Sequence, residues 1–302
     1  MNNEELKKET NEFVVARLRL AQQLLEESDQ LKGMDGYSFE SEKWWFHPRH
    51  EREALVAYLL LTCFDRLGQH GRYISFTDWL NSKKGIYISE RTNALSSLPS
   101  DVGSIEFASG LFEQYQDLYG VKNSFYQGII GLPEDVKERF LKSVNLTFNP
   151  EYGMYGSNVS TPSVPLNDEK KELDLKLKYL YSKRNRFTHK LDQYHRSSSP
   201  MMSKFKFQNG SSWSAIIGDS KLINYGDLHQ EHEKLTSGGA YVYSISDWPF
   251  ILFETLYAAI DLPFDRTTIN LKFQVQVFSD DHKFMTTYNN VDHKDLKDFS
   301  HF

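Results

Sequence analysis

The stretch "EREALVAYLLLTCFDRLGQHG" leaves a folding chain few choices. Read at helical spacing from about Glu51 to Leu67, it puts Leu55, Leu59, Cys63 and Leu67 on one face. Val56, Leu60 and Phe64 stand beside that face, so the helix is expected to be buried on most sides. The rest of the chain must then supply its cover.

Further helical patterns do so. Val14, Leu18, Ala21 and Leu25 recur at helical spacing within residues 3–31, and Gly33 ends the run. Ile105, Ala108, Phe112, Tyr115 and Tyr119 form a stripe over 104–119, and "LPEDVKERFLKSV" reads as a short helix opened by Pro133. "NDEKKELDLKLKYLYSKRNRFTHKL" predicts a long helix over 168–193, with Asn167 or Asp168 as N-cap and acids in its first turn. "SDWPFILFETLYAAIDLPF" predicts an apolar helix over 246–261, with Pro249 in the first turn. The expected class is mainly α.

After "HRSSSP" the pattern shifts. "KFKFQ" and "WSAIIG" look like strands. In "TINLKFQVQVF", Ile269, Leu271, Phe273, Val275 and Val277 alternate with polar residues, as in a strand with one wet face. Residues 197–302 therefore read as a smaller α+β portion, with the strand expected over 265–278. Residues 145–167, rich in Asn, Pro, Ser and Gly, read as a long loop. "RYISFTDWLNSKKGIYIS" is mixed and aromatic.

With 302 residues, 39% of them hydrophobic, the chain can bury the core of one large domain or two modest ones. A net charge of −6 gives no global field for nucleic acid, so a polyanion site must be a local patch. A single cysteine, Cys63, excludes a disulfide framework and a cysteine-rich zinc site, and fits a reducing compartment. It lies on an apolar helix face as core packing. "MNNEELKKETNEF" is charged throughout, unlike a signal peptide, and no run reaches the length of a membrane span. The expectation is a cytoplasmic protein with no membrane partner.

One segment stands against this acidic background. "YSKRNRFTHK", residues 181–190, carries five residues that can be positive. On a helical wheel Leu173, Leu177, Leu180, Phe187 and Leu191 share a stripe, and Arg184 falls in its middle. An arginine there needs a paired charge, a snorkelling route to water, or a ligand. His189 lies roughly 140° from Arg184, whereas Asn185 and His189 share a face. Arg184 and His189 can meet at one atom only if the helix loosens between them or a second copy supplies one of them.

Arg184, Asn185 and His189, with four residues between the arginine and the histidine, resemble the R-x4-H signature of the HEPN superfamily. The apolar, aromatic "LKYLYSK" before them is also similar to those proteins. The resemblance implies a four-helix bundle that dimerises, with two motifs facing one cleft. Many members are metal-independent ribonucleases of toxin–antitoxin or antiviral systems; others keep the fold as inactive scaffolds binding RNA, a nucleotide or a protein.

Carried onto this chain, His189 would act in acid–base catalysis on the RNA 2′-hydroxyl or the leaving oxygen. Arg184 would stabilise phosphate charge, and Asn185 would orient the histidine or substrate. Lys183, Arg186 and Lys190 would hold the RNA backbone. The implied partners are RNA, a second copy, and an antitoxin or defence-system protein. Neither a cofactor nor a metal is expected. Some toxin members carry a tyrosine two residues after the histidine; here that position is Leu191, although Tyr194 lies near.

On this reading residues 1–35 form an N-terminal helix and 36–196 a HEPN-like helical core. Residues 197–302 form the α+β region, which either donates the last bundle helix, about 246–261, or stands as a separate domain carrying substrate recognition. The other candidates read as structural. His47 and His50 in "FHPRHERE" lack a metal motif, and His229 and His232 lie among acids in what reads as a solvated turn. Arg66 and His70 read as a helix end. The aromatics of "KWWFH" fit packing or an interface. No phosphate-binding glycine loop or nucleophile elbow is present.

Overall fold

The computed structural model describes residues 3–27, 37–39, 44–46, 48–96, 103–149, 164–165, 168–189, 201–206, 212–217, 226–234, 240–269, 272–278 and 284–292. These residues are mainly helical. None of their helices is long and apolar enough to cross a membrane. Two compact units interleave along the chain, residues 1–15 with 62–132 and residues 16–61 with 133–302. Helices α1 (Asn3–Glu27) and α2 (Pro48–Leu67) each give one part to either unit.

Helix α1 buries the face that its spacing predicts, while on α2 Leu59 and Cys63 of the predicted face are buried and Leu55 and Leu67 only partly. Val14, Leu18, Ala21 and Leu25 of α1 are all buried. From Val56 to Phe64 every residue of α2 is buried except Tyr58, which is half-buried.

The first unit adds α3 (Phe76–Asn81), α4 (Gly85–Ser96), α5 (Ser104–Tyr119) and α6 (Val121–Ile130). Helices α3 and α4 occupy the segment whose pattern was mixed. Ser75 caps α3 by accepting a hydrogen bond from the Asp78 amide at 3.1 Å. In α5 only the C-terminal half of the expected stripe is buried: Tyr115 and Tyr119 pack with Trp79, while Ile105 and Phe112 stay exposed.

One carboxylate ties three of these helices together. Glu90 of α4 accepts from the Trp79 indole of α3 at 2.8 Å and from the Tyr119 hydroxyl of α5 at 2.9 Å. Beside the edge-on rings of Phe64 and Phe125, α6 also meets the end of α2 and Gly68 backbone to backbone. A Cβ on Gly68 would stand 2.0 Å from the Ser124 carbonyl oxygen, and one on Gly128 would stand 2.0 Å from that of Phe64. Only glycine fits either point.

The second unit contains α7 (Glu134–Ser143), α8 (Glu169–His189) and α9 (Phe250–Ala259), with α7 packed on α9. A short hairpin pairs β1 (Tyr37–Phe39) with β2 (Trp44–Phe46). One antiparallel sheet holds β3 (Val144–Asn149), β4 (Val164–Pro165), β7 (Gly226–Lys234) and β8 (Ala240–Trp248) in the order β4-β3-β8-β7. A second holds β5 (Met201–Lys206), β6 (Ser212–Ile217), β9 (Lys272–Phe278) and β10 (Phe284–Asp292) in the order β10-β9-β6-β5.

Four boundaries differ from the sequence expectation. The expected loop over 145–167 holds β3 and β4. Val144 and Leu146 of β3 are buried and Asn145 between them is exposed, an alternation too short to stand out among asparagines. The acidic 226–234 run, expected as a turn, is strand β7, made by main-chain pairing with β8.

The last helix starts at Phe250, not near 246. Strand β8 runs to Trp248, and Pro249, which has no amide hydrogen to donate, begins the turn. Of the strand expected over 265–278, Lys272–Phe278 form β9, while 266–268 form a single 3-10 turn. Arg266 anchors that turn by donating Nε to Glu254 of α9 at 2.5 Å, and Ile269 behind it is buried.

Candidate functional site

Helix α8 carries the basic motif, and its own sequence explains why it forms. Asp168 caps it, its Oδ1 accepting from the Lys171 amide at 3.0 Å, and Glu169 and Glu172 lie in the first turn. Leu177 and Leu180 are buried on the expected stripe, while Leu173 near the start is exposed. The helix is unbroken from Glu169 through His189. Loosening between Arg184 and His189 is therefore not the route by which they could converge, and the two positions remain roughly 140° apart around the axis.

Arg184 is half-buried. Its Nη1 donates to Asn185 Oδ1 at 2.8 Å, and its guanidinium carbon stands 6.0 Å from the ring centroid of Tyr58 on α2. A planar cation on a stripe of leucines is thus set against an aromatic face and a carboxamide oxygen, the surroundings such a group tolerates. Asn185 engages the arginine. Its own carbonyl accepts from the Thr188 hydroxyl at 3.0 Å.

Lys183 is only 2% exposed. Its Nζ stands 5.6 Å from the Tyr179 ring centroid, and Tyr179 stacks on Tyr243 of β8 at 4.8 Å. Its position is inside the unit, facing these aromatics, rather than on the solvent side where an RNA backbone would lie. His189 is the last described residue of α8. The side chains of Arg186 and His189, and Lys190 altogether, lie outside the described residues, as do Leu191 and Tyr194.

The remaining candidates separate clearly. Arg66 near the end of α2 is a clamp, donating to Gln69 Oε1 at 2.5 Å and to Glu9 Oε2 at 3.2 Å. His70 is half-exposed, with Nε2 3.6 Å from Glu90 Oε1 and its ring edge-on to Tyr119. Burial and then the Glu90 carboxylate push the Tyr119 phenol well above its ordinary pKa. Burial, and then Tyr73, raise that of Tyr115. Cys63 is buried, as its place on an apolar face predicts.

His50 lies in α2, and His229 and His232 lie in β7; their side chains, and His47, lie outside the described residues. Among the described residues no group of three or more His, Cys, Asp and Glu side chains is placed to hold a metal ion.

Two features of the site escape a reading of the sequence. Tyr58 sits between buried neighbours in "LVAYLLLTCF", and nothing local says that it will face Arg184. Lys183 carries the same charge as its neighbours, and only the fold turns it inward. Comparison with family models, with curated proteins and with solved structures finds no match.

Proposed function

We propose that the chain is a metal-independent endoribonuclease of HEPN type, acting as a cytoplasmic homodimer in defence or a toxin–antitoxin pair. Helix α8 carries the chemistry within a HEPN-like helical bundle, and residues 197–302 form its α+β portion. The observation that carries this reading is the motif's setting. An unbroken helix presents Arg184 and Asn185 side by side, with the guanidinium held half-buried on α2.

In this reading His189 takes the proton from the RNA 2′-hydroxyl as that oxygen attacks phosphorus. The bond from phosphorus to the 5′ oxygen breaks, and the departing oxygen receives a proton, leaving a cyclic phosphate and a free 5′-hydroxyl. Arg184 neutralises the charge that builds on the non-bridging oxygens. Two protomers meet at the basic ends of their α8 helices, and the RNA phosphates compensate the repulsion there.

The test is cleavage of total RNA in the presence of EDTA by wild type, Arg184→Ala and His189→Ala, at matched folding. Cleavage by wild type, lost in both variants, is the expected outcome. RNA that wild type binds but leaves intact would make the chain an inactive scaffold of the same fold. Cleavage that survives both substitutions would remove α8 from the chemistry.

A further inference from the structure

We infer that Tyr58 and Asn185 form a two-sided clamp that fixes the Arg184 guanidinium as a receiver of the phosphodiester's non-bridging oxygens. Tyr58 is then a positioning residue of this site. The inference rests on α8 being the RNA-cleaving element, and it adds a residue from another helix which the sequence motif does not contain.

Three observations converge on Tyr58. It is the one residue between Val56 and Phe64 of α2 that is not buried, so the helix gives up apolar cover at that point. The Arg184 guanidinium stands over its ring, 6.0 Å from the centroid. Arg184 also donates Nη1 to the adjacent Asn185 Oδ1 at 2.8 Å, which fixes one corner of the guanidinium.

An aromatic face restrains the tilt of a guanidinium, and a hydrogen bond to one terminal nitrogen restrains its rotation. Together they leave the cation preorganised, so that charge developing on a phosphate meets a group that need not reorganise. Asn185 accordingly works on the arginine, not on the histidine.

The experiment compares Tyr58→Phe, which keeps the ring, with Tyr58→Leu, which keeps apolar bulk without it. The first readout is the Arg184 Nε–H resonance in NMR spectra, assigned by its disappearance in Arg184→Lys. The clamp predicts a ring-current shift that persists in Tyr58→Phe and collapses in Tyr58→Leu, at unchanged circular dichroism. The second readout is RNA cleavage. Tyr58→Leu should lower kcat roughly tenfold with KM little changed, and Tyr58→Phe should restore it. In an Arg184→Ala background the same substitution should cost nothing further, which mere structural damage would not produce.

A resonance that does not move in Tyr58→Leu overturns the clamp whatever the activity. Full activity of Tyr58→Leu alongside an inactive Arg184→Ala overturns the positioning role while leaving the ribonuclease standing. If wild type itself cleaves no RNA, the ribonuclease reading falls and takes the catalytic role of Tyr58 with it, and the resonance still decides the clamp.

Discussion

A lysine that is 2% exposed cannot share the role of one on the surface, even within the same basic run. Lys183 faces the Tyr179 ring, which stacks on Tyr243. Removing it should therefore appear in stability and not in RNA affinity. Lys183→Ala is expected to lose about 2 kcal/mol on chemical denaturation, because the stem leaves a cavity. Lys183→Met, similar in volume, should stay within about 1.5 kcal/mol of wild type. Neither should change the slope of log affinity against log salt; a slope shallower by about one would put Lys183 back on a phosphate. The buried phenols give a second residue-scale prediction. Tyr115 and Tyr119 have folded pKa values raised above the ordinary 10.0, by burial first and then by Tyr73 and Glu90 respectively. Below about pH 10 both are neutral in either state and their stabilising contacts are whole. Above it the unfolded chain gives up protons that the folded protein keeps, so stability falls as pH rises. Ultraviolet titration should find Tyr115 and Tyr119 among the tyrosines that ionise above the ordinary range, and Tyr119→Phe should remove one of the late-ionising groups.

At the scale of elements, the contact of α2 with α6 is the most exacting. A methyl group at Gly68 or Gly128 would run into main-chain carbonyls at 2.0 Å, and backbone cannot step aside as a side-chain tip can. Gly128→Ala should cost more than about 3 kcal/mol or prevent folding, whereas Gly71→Ala, with nothing within 4 Å, should be neutral or slightly stabilising. Denaturant midpoints of the two variants would check the contrast, and a stable Gly128→Ala protein would mean that the helices stand further apart. This contact also marks what the sequence can say about elements. Helices α1 and α2 are legible because their apolar period is the cause of their burial, whereas the period of α5 reports its helix but only half of its buried face. Helix α6, "VKNSFYQGII", is obscured by the glycine that its packing demands. Strand β7, "GDLHQEHEK", hides because its neighbour β8, and not its own side chains, makes it a strand. The site divides the same way. Arg184 and Asn185 are adjacent in sequence and bond to each other, so a motif can report them. Tyr58 reaches Arg184 across 126 positions of chain, counted from their numbers, and only the fold brings them together.

For the whole molecule, the continuity of α8 has the largest consequence. An unbroken helix from Glu169 to His189 sets positions 184 and 189 roughly 140° apart around its axis, an arrangement that does not favour both acting on one phosphate from a single protomer. In the proposed dimer, a two-fold axis would solve this by giving each site an arginine from one protomer and a histidine from the other. Arg184→Ala and His189→Ala homodimers would then each be dead at both sites. A mixed dimer of the two variants has one site lacking both groups and a second with both intact. After unfolding together and refolding as an equal mixture, random pairing makes half the dimers mixed, each with one working site of two. The expected activity is about one quarter of the wild-type rate, against essentially none for either variant alone. Sites built within single protomers would give a different answer, because every site in the mixture would then lack one group. No recovery in a mixture shown by mass spectrometry to contain mixed dimers would therefore rule out sharing across the axis. Recovery near one quarter would fix both the dimer and the division of labour between Arg184 and His189.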